Sequence, residues 1–310
     1  MSNIDHRHLV GIVPLAKPYS IYNNIWDDGF INISETVNAI QGAILECASA
    51  GCSSIWVNAD YEQIPLLKKR IGSWVEDPVY YRRTFEKKPS LTKKKIPIYY
   101  SWNHQKDIGR RDSYGWGIIN AGFVATKIAQ NISKHLIPDR FYVSFPVSVT
   151  NFWQPQHHRK QIHRGDRICF VHEGKTFLDD EFISFIITQE DLREANRNVK
   201  DKGTGFKMVD PELGKGLDAL VKRPPEERWS ARKFKISEIF SFLKLKDFDT
   251  IEGDFYHRID TWEGYKSFMK SDNHFRKLNT KYFYNRGKHK INGHEETEQR
   301  PDYSFSKEDE

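Results

Sequence analysis

One stretch of the sequence is well suited to binding an anion, the loop 106–117, Lys-Asp-Ile-Gly-Arg-Arg-Asp-Ser-Tyr-Gly-Trp-Gly. It contains Arg110, Arg111, Gly115 and Gly117 and leads directly into a helical pattern. A glycine-containing loop at a helix N-terminus presents free backbone N–H groups and the positive end of the helix dipole. The two arginines add charge there, which favours phosphate binding. The alternative is that they pair with the neighbouring aspartates.

The elements before this loop predict where a site would lie. Residues 9–15 are an apolar run, residues 34–50 have a helical pattern, and residues 53–60 read as a second strand. Together they indicate a βαβ unit with two parallel strands. Ligands bind at the carboxyl ends of such strands. We therefore expect a site at the loop 16–20 and at Asp60.

The rest of the chain continues this alternation and predicts the fold class. Further strands are expected at 96–102, 141–149, 166–173, 182–188 and 233–243, and further helices at 61–71, 118–135 and 189–199. The fold class that we predict is α/β, with a Rossmann-like, mostly parallel central sheet, helices on both faces and a smaller inserted β-rich region. The expected organisation is a nucleotide-binding half over 1–153, an acceptor-side half with an inserted hairpin and closing strands over 154–270, and a polar tail over 271–310.

The composition is that of a polar globular protein, with 310 residues, 29 % charged residues and a net charge of +6. Such a charge suits a nucleotide or nucleic acid, but an excess of lysine also serves only to solvate a surface. The same two interpretations apply to the lysine-rich loop Lys87–Lys95, which could contact nucleic acid. Cys47, Cys52 and Cys169 form no evident disulfide set. Without a long apolar run, we expect a cytoplasmic protein with no membrane partner.

The order of features resembles the nucleotide-sugar nucleotidyltransferases, whose GT-A-like fold is shared with nucleotide-dependent glycosyltransferases. Those chains open with a strand, a glycine-rich loop, a helix ending in Ala-Gly and a strand with a polar end. They continue with a Gly-Thr-Ala-type loop on a helix, a Glu-Lys-Pro motif and an Asp-Thr-Pro-Glu-Asp motif. The corresponding residues here are Pro14–Lys17, Ala50-Gly51, Ile55–Asn58, Tyr114–Gly117 with Asn120-Ala121, Lys222–Pro224 and Ile259–Glu263.

The resemblance implies a transferase that acts on a nucleoside triphosphate or nucleotide-sugar, by nucleotidyl or glycosyl transfer with Mg²⁺. It implies catalytic roles for Lys17, which would hold phosphates, and for Asp260, which would bind the metal. It implies acceptor binding by Lys222 and Arg223. The nucleotide-binding residues that it implies, together with the loop and edge positions above, are Leu15, Ala16, Lys17, Asp60, Arg111, Gly115 and Gly117.

Two departures from the family pattern leave alternatives open. The glycines of the first loop are replaced by the run 17–20, Lys-Pro-Tyr-Ser, and the metal-binding aspartate expected after the fourth strand is replaced by 146–148, Pro-Val-Ser. One alternative is a non-catalytic protein that binds a nucleotide or nucleic acid on a degenerate GT-A-like fold. Another is a glycosyltransferase that modifies a base of a nucleic acid.

Overall fold

A computed structural model describes residues 8–15, 28–34, 37–79, 94–104, 113–203, 206–208, 220–222, 234–271, 290–291 and 294–295. Its centre is an eight-stranded sheet with the order β11-β7-β8-β5-β1-β2-β4-β3. These strands are β1 Leu9–Pro14, β2 Ser54–Ala59, β3 Trp74–Glu76, β4 Lys95–Trp102, β5 Arg140–Val143, β7 Ile168–Val171, β8 Phe185–Thr188 and β11 Asp249–Glu252.

Among the residues that the structure describes, three small two-stranded sheets lie outside the central one. They pair β6 Ser148–Thr150 with β12 Tyr256–Arg258, β9 Phe206–Met208 with β10 Leu220–Lys222, and β13 Lys290–Ile291 with β14 His294–Glu295. The α-helices are α1 Ala39–Ala50, α2 Ile64–Arg70, α3 Tyr114–Ile132, α4 Arg159–Arg164, α5 Gln189–Gly203, α6 Ile236–Ile239 and α7 Trp262–Lys270.

The centre of the sheet is parallel. β1 pairs in parallel with β2 on one side and with β5 on the other, and β2 pairs in parallel with β4. β8 then runs antiparallel to both β5 and β7. The chain leaves β1 in one direction along the sheet and returns past it to β5, so the carboxyl ends of β1 and β5 form a topological switch point.

Helices cover both faces of the sheet, as the fold class predicted. β1 shows the division, because Leu9 and Val13 pack in the cluster that contains α1, whereas Val10 and Ile12 pack in the cluster that contains α3. The successive side chains of a strand point to opposite faces, so a strand covered on both faces is apolar throughout. This is the physical reason for the continuous apolar run of β1.

Three predicted elements differ from the structure. Residues 141–149 are two strands because the chain turns away at Pro146, and residues 233–243 contain the short helix α6 instead of a strand. α1 begins later than predicted. Asn38 is its N-cap, with its side chain accepting from the Gln41 N–H and the Gln41 side chain accepting from the Asn38 N–H. This reciprocal capping box fixes the helix start at Asn38.

The domain boundaries at 153 and 270 remain a prediction. Strands from both predicted halves belong to the same central sheet. In the part of the chain that the structure describes, no helix is both long enough and apolar enough to cross a membrane.

Candidate functional site

A network of amide side chains ties together the carboxyl ends of the central strands. Asn58 lies near the end of β2 and is fully buried. Its Oδ1 accepts hydrogen bonds from Ser101 Oγ at 3.1 Å and from Asn120 Nδ2 at 2.8 Å. Its Nδ2 donates to Asn103 Oδ1 at 3.1 Å. This cluster of hydrogen-bonded polar side chains therefore connects β2, β4 and α3 at the edge of the sheet where a ligand is expected.

Close packing at the same edge joins α3 to β1 and β2. A Cβ at Gly117 would lie 3.2 Å from Pro14 Cβ and 3.3 Å from Asn58 Nδ2. The Leu15 N–H donates to the Asn58 carbonyl oxygen at 2.7 Å, and the Leu15 side chain is buried. Gly115 is close to α6, since its Cβ would fall 2.0 Å from Ile239 Cδ1. The two glycines thus allow the first turn of α3 to approach its neighbours.

Two aromatic rings project at this edge beside the amide network. Tyr61 follows β2 and is 64 % exposed, while Trp102 ends β4 and is 49 % exposed. Their ring centroids are 5.4 Å apart at an interplanar angle of 69°. The Trp102 carbonyl oxygen accepts a hydrogen bond from Asn120 Nδ2 at 2.9 Å. The network therefore fixes the backbone that carries the Trp102 ring.

A run of side-chain contacts connects the start of α3 to Asp260. The Tyr114 ring contacts Phe145 and Phe182 at centroid distances of 6.2 and 5.1 Å. The Arg258 guanidinium lies over Phe182, 4.7 Å from the ring centroid. Arg258 in turn donates to both carboxylate oxygens of Asp260 at 2.7 Å. Since Phe145 follows β5 by two residues, these groups lie near the carboxyl end of β5.

Asp260 is an ion-pair partner and not the cap of the helix after it. Thr261 is the N-cap of α7, and its hydroxyl accepts from the Gly264 N–H at 3.1 Å. Hydrogen bonding to Asp260 raises the pKa of Arg258 above its usual value. Arg258 also lies 3.6 Å from Glu181.

A magnesium site can be judged from this donor set. Among the described residues, no group of three His, Cys, Asp or Glu side chains comes together. Asp260 therefore contributes a single carboxylate with the correct oxygen chemistry. That donor set fits an ion whose other ligands are substrate phosphates and water, because Mg²⁺ is usually bound through one or two carboxylates plus phosphates. It does not amount to an all-protein cage.

Ser144 stands directly after β5, near the position where the resemblance implied a metal-binding aspartate. Its hydroxyl donates to Glu46 Oε2 at 2.6 Å, and the Tyr142 hydroxyl donates to Glu46 Oε1 at 2.9 Å. Glu46 is buried on α1, and burial raises the pKa of its carboxyl, against the opposing effect of these hydroxyls. The carboxyl group that these two hydroxyls contact thus lies inside the core.

The structure describes some of the predicted site residues and not others. Leu15, Asp60, Gly115 and Gly117 lie at the carboxyl edge, with Asp60 half-buried directly after β2. Lys222 ends β10, which pairs with β9. Four other predicted positions lie outside the described residues: Ala16, Lys17, Arg111 and Arg223. The lysine-rich loop Lys87–Lys95 also lies outside them, except for its last two residues. The binding and catalytic roles of all of these remain predictions.

Sequence reasoning missed the amide network and the exposed rings. A signal was present, because Asn58 lies near the end of the predicted strand 53–60, and Ser101 and Trp102 lie at the end of the predicted strand 96–102. Polar and aromatic residues at the ends of two adjacent parallel strands are candidates for a ligand site. The pairing register itself could not be read from the sequence.

Comparison with solved structures supports this description of the fold. The chain is similar to a protein from Bacillus anthracis assigned as a glucose-1-phosphate thymidylyltransferase and solved with sucrose. The TM-score is 0.51 at 9 % identity, over 87 % of this chain and 96 % of that one. At this identity the likeness establishes a shared fold, which confirms the GT-A-like fold that the resemblance implied.

Two further structures have TM-scores below 0.5. The first is a UDP-glucose pyrophosphorylase in complex with UDP-glucose, with a TM-score of 0.47 and 11 % identity over 84 % of this chain and 97 % of that one. The other is a nucleoside-diphosphate-sugar pyrophosphorylase from Vibrio cholerae, at 0.46 and 11 % identity over 85 % of this chain and all of that one. No protein-family model matches the sequence, and no curated protein sequence matches it.

Proposed function

We propose that the chain is a transferase that acts on a nucleoside triphosphate or a nucleotide-sugar, by nucleotidyl or glycosyl transfer. The observation that carries the proposal is the run of contacts from the start of α3 through Phe145 and Phe182 to Arg258 and Asp260. It joins the predicted nucleotide loop to the predicted catalytic carboxylate at one edge of a GT-A-like sheet.

The proposed roles follow from this arrangement. Lys17 and Arg111 bind the phosphates, and the carboxyl ends of β1 and β2 with the first turn of α3 bind the nucleoside. Lys222 and Arg223 bind the acceptor. Asp260 would hold Mg²⁺ together with the substrate phosphates, and the ion would supply neutralisation of the charge that phosphoryl transfer must stabilise.

Arg258 orients the Asp260 carboxylate in this proposal. Its planar guanidinium donates two parallel hydrogen bonds, and such bidentate pairs restrict the carboxylate geometrically. A carboxylate has about four lone-pair sites, so the two that are used by Arg258 leave others for a metal ion.

The test is a turnover assay with purified protein. Each nucleoside triphosphate is incubated with a set of sugar 1-phosphates and Mg²⁺, and pyrophosphate release and nucleotide-sugar formation are followed by phosphorus NMR. Nucleotide-sugars are tested in parallel for release of the nucleoside diphosphate. The expected result is turnover with one nucleotide class that requires a divalent cation. Nucleotide binding without turnover of any pair would refute the catalytic proposal.

The non-catalytic alternative has one specific observation in its favour. The position directly after β5 carries Ser144, whose hydroxyl is bonded to the buried Glu46, so the residue at this position is not itself a carboxylate that could bind a metal. If the alternative holds, nucleotides will raise the melting temperature in the absence of divalent cations, because a ligand that binds only the folded state stabilises it.

A further inference from the structure

We propose that Tyr61 and Trp102 form a stacking surface for a nucleobase, an inference that rests on the proposed nucleotide-binding function. The two side chains are among the most exposed large aromatic residues in the described part of the chain. They follow adjacent parallel strands, β2 and β4, and lie at the edge where ligands bind in such sheets.

The geometry of the two rings suits a flat ligand. The rings meet edge to face, with their planes at 69° and their centroids 5.4 Å apart, so this contact leaves at least one face of each ring uncovered by the other. The backbone at each ring belongs to hydrogen-bonded structure: Tyr61 begins a short 3₁₀ turn after β2, and the Trp102 carbonyl oxygen accepts from Asn120. Less backbone ordering is therefore needed when a base stacks, which favours binding.

Polar groups for the edge of a base lie next to this surface. Asn120 uses its amide nitrogen for Asn58 and Trp102, and Asn103 uses its amide oxygen for Asn58. Within the described residues, no hydrogen bond engages the Asn103 amide nitrogen or the Asn120 amide oxygen. One donor and one acceptor thus remain beside an aromatic face, and stacking combined with such groups is how proteins bind unpaired bases.

The base could belong to a free nucleotide or to a single-stranded nucleic acid, since both present the same flat ring. The experiment measures the dissociation constants of the nucleoside triphosphates, of a short single-stranded oligonucleotide and of inorganic tripolyphosphate, which has no base. The variants are Trp102→Ala, Trp102→Phe and Tyr61→Ala. Tyr99→Ala is the matched control, because Tyr99 is 46 % exposed and lies within β4, before the carboxyl end that carries Trp102.

We expect Trp102→Ala to weaken the binding of the base-containing ligand about tenfold, in line with the loss of one stacking contact. Trp102→Phe should restore most of the affinity, and Tyr99→Ala should not change it. Tripolyphosphate should bind equally to the wild type and Trp102→Ala. A loss confined to the oligonucleotide identifies a nucleic-acid strand as the source of the base, and a loss confined to the triphosphates identifies a free nucleotide.

Two results would overturn the inference while the proposed function stands. In the first, Trp102→Ala binds every base-containing ligand as tightly as the wild type does. In the second, Trp102→Ala loses as much affinity for tripolyphosphate as for the base-containing ligands. A wild type that binds none of the base-containing ligands would refute the stacking surface and the proposed function together. Melting temperatures of the variants separate these results from misfolding, since replacing an exposed ring removes few packing contacts.

Discussion

Replacing Asp260 with Asn separates catalysis from structure at the proposed site. The change removes the negative charge and keeps the shape and one oxygen acceptor. The Arg258 and Asp260 side chains are 42 % and 16 % exposed, so their ion pair is partly solvated. Such pairs contribute about 0.2–1 kcal/mol to stability, and we expect the free energy of unfolding to fall by no more than about 1 kcal/mol.

Turnover should fall far more than stability if Asp260 binds the metal. A bound cation contributes several kcal/mol to charge stabilisation in such reactions, which corresponds to a loss of at least about a hundredfold. Thr261→Ala is the matched control, because it removes the N-cap of α7 at a cost of about 1 kcal/mol and leaves Asp260 in place. The assay is turnover at saturating substrate, with chemical denaturation of each variant alongside.

The outcomes of this pair of variants are distinct. The reasoning holds if Asp260→Asn loses turnover and Thr261→Ala keeps it at a similar stability. Equal turnover in wild type and Asp260→Asn removes Asp260 from the mechanism. Equal losses in both variants would mean that activity responds to the packing of α7 and not to the charge of the carboxylate.

Three other predictions follow from described contacts. Arg159→Met should destabilise the fold by about 3 kcal/mol in urea titrations, because Arg159 pairs at 2.7 Å with the buried Asp77 and donates to the last carbonyl oxygens of α1. Arg197→Met is the control, and because Arg197 belongs to an exposed pair, its replacement should cost less than about 0.5 kcal/mol. Gly264→Ala should lower the melting temperature and turnover together, since its Cβ would lie 2.1 Å from a carbonyl oxygen at the end of β12 and would displace α7. Burial raises the pKa of the Glu46 carboxyl in the folded state, so the contribution of Glu46 to stability is greatest below the ordinary pKa of 4.5 and is lost as the pH rises through the raised pKa. In thermal melts between pH 4.5 and 7, the stability of Glu46→Gln relative to wild type should therefore increase with pH, and a difference that stays constant would contradict this.

The sequence predicted the β1–α1–β2 unit because each element there has a strong local signal. β1 is apolar throughout, Gly51 ends α1 in the left-handed conformation, and β2 follows at once. The helical pattern was predicted from residue 34, where a serine is a suitable capping residue, but α1 begins at Ala39. Ser34 does accept a hydrogen bond from the Val37 N–H, but in a turn before the helix.

The buried face of α3 shows a different limit of pattern reading. Ile128 and Ile132 continue the helical spacing of Ile119, yet they are 43 % and 68 % exposed, whereas Ile119 is buried. The first half of α3 packs through large residues and also through Gly122, where a Cβ would lie 2.5 Å from Leu192 Cδ2. The spacing therefore indicates the buried face at the start of the helix but not where that face ends, since the buried residues of α3 end at Thr126.

The candidate site was predictable only as far as it depends on the topology. The parallel order of β1, β2 and β4 follows from the alternation of strands and helices, and it places Asp60 at the carboxyl edge of the sheet. The pairing of Asp260 with Arg258 was not evident, although the two residues are only two positions apart. Side chains two apart on an extended strand face the same way, but the chain leaves β12 at Arg258.

The charges around Asp260 explain why a metal would arrive with its substrate. Glu181 lies between two cations, with Lys175 Nζ 3.5 Å from its Oε1 and Arg258 Nη1 3.6 Å from its Oε2. Arg258 also pairs with Asp260. The two cations and two carboxylates of this cluster cancel, so it attracts a free divalent cation only weakly. A nucleotide brings several negative oxygens of its own, and with them the ligands that Asp260 alone does not supply. In the proposed reaction, metal binding and nucleotide binding are therefore coupled, and the discrimination between nucleotides falls to neutral groups: the amides of Asn103 and Asn120 and the ring of Trp102.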